Sequence, residues 1–88
     1  MPTRRITGDA YTDLTGADIT TIQFQNIGNG EVRVVRSDTQ PEPDTEDAWE
    51  YLPHEGERGE LSRLYPASTG ARLWFISPTE TDIRYVYT

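Results

Sequence analysis

No cysteine occurs in the 88 residues, which excludes a disulfide framework and a thiolate zinc site. Lysine is absent as well. All eight basic residues are arginine, set against fifteen Asp and Glu, so the formal net charge is −7 with the single histidine neutral. An acidic chain repels phosphate backbones unless a local basic patch overrides its field, and only Arg4 and Arg5 are adjacent, so no nucleic-acid partner is expected. There is no apolar run of about 20 residues to cross a bilayer and no hydrophobic region of signal-peptide type, so no membrane partner is expected either. Hydrophobic residues are also scarce, at 34% of the chain. A domain of this length buries only about two-thirds of its unfolded surface. Stability must therefore come from strand pairing, from a compact aromatic core or from partner chains.

Helix-forming pattern is the next absence. Ala and Leu together number 10 while Thr, Ile and Val number 22, and no amphipathic stretch of three turns exists. Residues 1–18 carry Ile6, Tyr11 and Leu14 as isolated apolar anchors among Thr, Asp and Gly, and read as an extended N-terminal arm ahead of a domain over 19–88. From 19 to 27 the sequence ITTIQFQNI alternates with period two, as a half-buried strand does. Gly28-Asn29-Gly30 suits positive φ and a tight reversal, and EVRVVR (31–36) alternates again, so the three segments read as a hairpin.

Residues 37–47, SDTQPEPDTED, hold two prolines and five carboxylates and read as an exposed acidic loop. A short strand follows around Trp49, Tyr51 and Leu52, then a second polar loop, HEGERGE (54–60), and a turn or short strand at LSRLY (61–65). RLWFIS (72–77) has the near-continuous apolar run of a central strand, and IRYVY (83–87) is the last strand. The pattern implies an all-β fold: a small β-sandwich or barrel-like domain of about six to eight short antiparallel strands.

Catalytic chemistry finds little support. His54 is the only candidate base, it lies in a polar loop, and no G-x-S-x-G elbow occurs. Asp38, Glu42, Asp44, Glu46 and Asp47 supply hard oxygen ligands for Ca²⁺, but their spacing is not that of an EF-hand, and a solvated loop is the simpler reading. No cofactor is expected. The two acidic loops also raise a DNA-mimicking inhibitor, though a mimic needs carboxylates at regular spacing across one face. The aromatic residues bear on assembly, because neighbouring strand residues face opposite ways. Trp74 and Phe75 cannot both enter one core, nor can Val34 and Val35, so one of each pair needs a cover. A second sheet or a neighbouring subunit is expected to provide it.

The succession FQNIGNGEVRVV (24–35), an acidic Pro-containing loop, WEYLPHEGE (49–57) and RLWFIS (72–77) resembles the small accessory β-sandwich proteins of tailed bacteriophages. In that pattern an FQNxGxxxVxVV hairpin precedes a P-x-E-G loop and a late LW or VW strand. The chain departs from it at 61–65, where the pattern has a glycine-rich strand approach. The resemblance implies a non-enzymatic structural protein on the virion surface, made in the bacterial host cytoplasm. The first expectation is a capsid decoration (cement) protein clamping neighbouring capsomers, with the major capsid protein or another virion protein as partner and a homo-oligomer, a trimer first, as its assembled state. The alternative is a tail or fibre-base receptor-binding module that contacts host glycans through Trp49 and Tyr51. Expected partner-contacting residues are Arg4, Arg5, Ile6, Tyr11 and Leu14 of the arm, Val35 of the second apolar face, and Trp49 and Tyr51. On this reading the arm is separable, and deleting residues 2–14 leaves a folded sandwich.

Overall fold

Alternating apolar residues become strands where one face of the chain can be buried and the other solvated. The computed structural model describes residues 2–88. It has eight strands: β1 (Thr3–Ile6), β2 (Thr12–Asp13), β3 (Thr21–Asn26), β4 (Val32–Arg36), β5 (Trp49–Tyr51), β6 (Gly56–Glu60), β7 (Leu73–Ile76) and β8 (Thr81–Tyr87), with one helical turn, α1 (Leu61–Leu64). They form two antiparallel sheets of four, in the orders β1-β8-β3-β6 and β2-β7-β4-β5. The fold is thus the expected all-β sandwich.

Its core lies between the sheets. Ile22 and Phe24 of β3, Ile83 of β8 and Ile6 of β1 meet Val32 and Val34 of β4 and Leu73 and Phe75 of β7. The Phe24 ring sits edge-on to Phe75 at 5.1 Å and to Tyr51 at 5.2 Å. Each such fully buried side chain contributes about 1.5–3 kcal/mol. Phe75 takes the core position and Trp74 the outward one, as strand alternation demands.

Several expectations are corrected. Residues 1–18 are not a separable arm among the described residues: β1 pairs with β8 from Thr3↔Arg84 to Ile6↔Thr81, and β2 pairs with β7. Arg72 fastens the segment further, with ion pairs of 3.0 Å to both Asp13 and Asp18. Deleting residues 2–14 would strip a strand from each sheet.

Strands β3 and β4 are not a hairpin either, because they belong to opposite sheets and Gly28-Asn29-Gly30 is the crossover between them. The glycines serve close approach rather than positive φ: a Cβ on Gly28 would lie 2.7 Å from the Asp82 amide nitrogen, and one on Gly30 2.4 Å from the Glu80 carbonyl oxygen. Buried Asn26 fixes the crossover. Its Nδ2 donates to the Gly30 carbonyl at 2.7 Å, while its Oδ1 accepts from the Thr81 hydroxyl at 2.6 Å and the Gly28 amide at 3.2 Å.

The polar segment 54–60 contains strand β6, docked on β3 by main-chain pairing. A Cβ on Gly56 would lie 2.0 Å from the Phe24 carbonyl oxygen, so this register requires glycine. At 61–65 the chain makes one helical turn that buries Leu61, so of the two expectations the turn holds and the strand does not.

The outward apolar residues of the second sheet are covered by the chain itself. Val35, opposite Trp74 in register, packs with Tyr11, Ile76, Ala48 and Trp74 under residues 37–48. Two hydrogen bonds hold the cover: Trp74 Nε1 donates to the Ser37 carbonyl at 2.9 Å, and Gln40 Nε2 donates to the Tyr11 carbonyl at 2.9 Å. The acidic loop is a lid on its own sheet. The doubled apolar facing therefore no longer calls for a neighbouring subunit.

Candidate partner-binding surface

The residues expected to contact partners divide sharply by burial. Ile6 and Leu14 belong to the main core, and Tyr11 and Val35 to the cluster under the acidic loop. None of the four offers a surface, because the segment that carried three of them as an arm is woven into both sheets. Tyr51 is also largely committed. Its ring lies against Phe24, and its hydroxyl is 2.8 Å from that of Tyr65. Burial raises the pKa of both phenols, and the Glu57 carboxylate adds to the effect, so neither serves as a base near neutrality.

Arg4, Arg5 and Trp49 remain exposed. Arg5 is held by Glu80 and Asp82, each at 3.4 Å. Trp49 is 55% exposed on edge strand β5, and Leu52, just beyond the same strand, is 53% exposed. Period-two spacing marks Trp49 as an inward residue, and it does stand opposite buried Val34, but no strand lies beyond β5 to cover it. Val86 and Tyr87 near the end of β8 are the other large apolar side chains left exposed among the described residues.

Trp49 borders an open groove of about 980 Å³, walled by the acidic loop on one side and by Ala67, Ser68 and Thr69 on the other. Arg36 braces the second wall from below: its guanidinium donates to the carbonyls of Gly70 at 2.8 Å, Ser68 at 2.9 Å and Tyr65 at 3.1 Å. An arginine fork suits such multiple carbonyl bonding better than an ammonium.

No three His, Asp or Glu side chains converge as metal ligands among the described residues. His54 sits on an exposed turn at φ 74°, and its imidazole makes no hydrogen bond to a serine or carboxylate among the described residues. Glu31 and Glu50 form a close carboxyl pair on the outer face of the second sheet. Hydrogen bonding with Glu31, reinforced by its charge, raises the pKa of Glu50.

No known protein family, curated protein or solved structure matches this chain.

Proposed function

We propose that this chain is a non-enzymatic structural virion protein, a capsid decoration protein that binds the outer surface of a phage head and clamps neighbouring capsomers. The observation that carries the reading is the exposed pair Trp49 and Leu52, the two most exposed large apolar side chains among the described residues, on one edge of a sandwich whose core and second-sheet outer face its own chain covers. Aromatic anchors of this kind, surrounded by polar residues, are what protein interfaces bury first. The family resemblance supplies the virion setting. The partner contact falls on the β5 edge, in place of the arm.

The test is fractionation of the particles of a phage that encodes the chain into DNA-filled heads and free tails. The wild-type chain is expected on heads. Trp49→Ala/Leu52→Ala is expected to leave them while keeping its thermal midpoint, since both side chains are already solvated. Absence from every particle fraction, or undiminished head binding by the double variant, would overturn the proposal.

One observation favours a second reading, a tail-associated module contacting glycans. Trp49 borders a groove that also presents Glu42, Asp44 and Asp47, a stacking face beside hydrogen-bond acceptors. Tyr51 drops out of that reading because its ring and hydroxyl are already engaged. Recovery with tails, together with glycan binding lost in Trp49→Ala, would favour it over the head.

A further inference from the structure

The outer face of the first sheet is laid out by register. Gln23 of β3 stands between Arg58 of β6 and Val86 of β8, and one row further along β3 Gln25 stands between Gly56 and Arg84. All five side chains are exposed, alternating with the buried Ile22 and Phe24. Arg58 and Arg84 thus flank β3 diagonally, about 12 Å apart from strand spacing and rise. Arg5 and Arg72 each hold two carboxylates, whereas Arg58 and Arg84 hold none among the described residues.

The opposite side of the molecule carries the complement. Residues 37–48 lie over the outer face of the second sheet and present Glu42, Asp44, Glu46 and Asp47 to solvent. No cation lies within ion-pair distance of these four among the described residues. A chain of net charge −7 therefore keeps the unpaired guanidinium groups of Arg58 and Arg84 on one face, with Glu60 one row beyond Arg58, and four unpaired carboxylates on the other.

We infer that the outer face of the first sheet is a docking surface for the acidic loop, residues 42–47, of a second copy of this chain. Arginine forks donate paired hydrogen bonds to carboxylates, and between them the Gln23 amide adds donors for the remaining oxygens, as does the second N–H of the Gln25 amide, whose first is given to the His54 carbonyl at 3.2 Å. The two surfaces differ, so the contact is head-to-tail. Because they lie on opposite faces, each added copy exposes a fresh arginine face or acidic loop, and the product is an open row rather than a three-fold cluster. Net charge opposes the approach of copies. At ionic strength of about 0.15 M the Debye length is about 8 Å, which screens repulsion between whole molecules while leaving direct ion pairs in place.

The experiment needs only the purified chain, so its outcome is independent of the virion reading. Sedimentation velocity at about 0.15 M salt is expected to show the mean sedimentation coefficient rising with protein concentration, and salt at about 1 M to return it to the monomer value. Arg58→Glu/Arg84→Glu and Glu46→Arg/Asp47→Arg are each expected to remain monomeric when alone. Mixed in equal amounts they are expected to associate again, because each supplies the face the other has lost. Arg58→Gln/Arg84→Gln removes the charges without creating repulsion and stands in if the reversed variant fails to fold. A wild-type chain that stays monomeric at millimolar concentration overturns the inference. So does self-association of either charge-altered variant at wild-type strength, or a mixture that stays monomeric.

Discussion

Replacing Asn26 with alanine tests the crossover that joins the two sheets. The Asn26 amide is fully buried and ties together four groups: the Gly30 and Tyr51 carbonyls at 2.7 and 3.4 Å, the Gly28 amide at 3.2 Å and the Thr81 hydroxyl at 2.6 Å. Alanine leaves at least the Gly30 carbonyl and the Thr81 hydroxyl without their closest partner in a buried site, at about 1–3 kcal/mol for each. The summed cost is about 4 kcal/mol, against a total stability of about 4–13 kcal/mol for a domain of this length. At about 4–8 °C per kcal/mol, the thermal midpoint should fall by roughly 15–30 °C. Circular dichroism melts and urea titration measure it, the m-value checking that the unfolded state is unchanged. Thr81→Val removes only one of the four groups and should cost less. Because both substitutions break the same bond, the double variant should lose less than the sum of the singles. A fall of under about 5 °C for Asn26→Ala, or strict additivity with Thr81→Val, would refute the role given to this side chain.

Gly56→Ala sets a Cβ against the Phe24 carbonyl oxygen and should cost about 1–3 kcal/mol of unfolding free energy or more by urea titration, with amide protection lost along β6; an unchanged urea midpoint would reject the packing reason for that glycine. Tyr11→Phe should raise the thermal midpoint or leave it unchanged, because the Tyr11 hydroxyl is buried without a hydrogen-bond partner; a clear loss of stability would mean that the hydroxyl is satisfied in solution. Glu50 has a raised folded-state pKa, so its stabilising contribution is present in acid and lost as the pH rises through that value. Glu50→Gln should therefore melt higher than the wild type at neutral pH, and the gap should close by about pH 3, below the ordinary glutamate value. A gap independent of pH would exclude repulsion from Glu31 as the cause.

What the sequence disclosed follows from how each strand is held. Strands β3, β4 and β8 alternate apolar and polar residues around a buried face, and β7 is a continuous apolar run, so all four are legible from hydropathy pattern alone. Strand β6, GERGE, has no apolar side chain; main-chain bonds to β3 and the close approach of Gly56 make it, and neither leaves a hydropathy signal. Strand β1 buries only Ile6, so its pairing with a strand from the far end of the chain is invisible locally. The GNG crossover carries the same residues as a hairpin turn, and the difference lies in the hydrogen bonds of Asn26. That Val35 and Trp74 needed a cover was legible. That the acidic loop supplies it was not, since the contact rests on Ala48, Tyr11 and two hydrogen bonds to carbonyls. Trp49 could be singled out from sequence, but the arginine face could not, because Arg58 and Arg84 meet only through register across three strands.

The strand order also dictates when the protein can fold. The last two strands in the chain are interior to their sheets: β8 sits between β1 and β3, and β7 between β2 and β4. A nascent chain that has emerged through residue 72 holds β1 without its sole neighbour and β3 and β4 with open edges. Every hydrogen-bonding row that β7 and β8 will fill is then available to a neighbouring nascent chain. Completion waits for the final strands to insert into slots already flanked on both sides, a non-local closure of the kind that makes β-sandwiches slow to fold. Premature termination in this stretch would release two half-built sheets with complementary gaps, and such fragments would aggregate instead of refolding alone. The segment from residue 73 to residue 87 thus decides between a closed sandwich and a sticky intermediate.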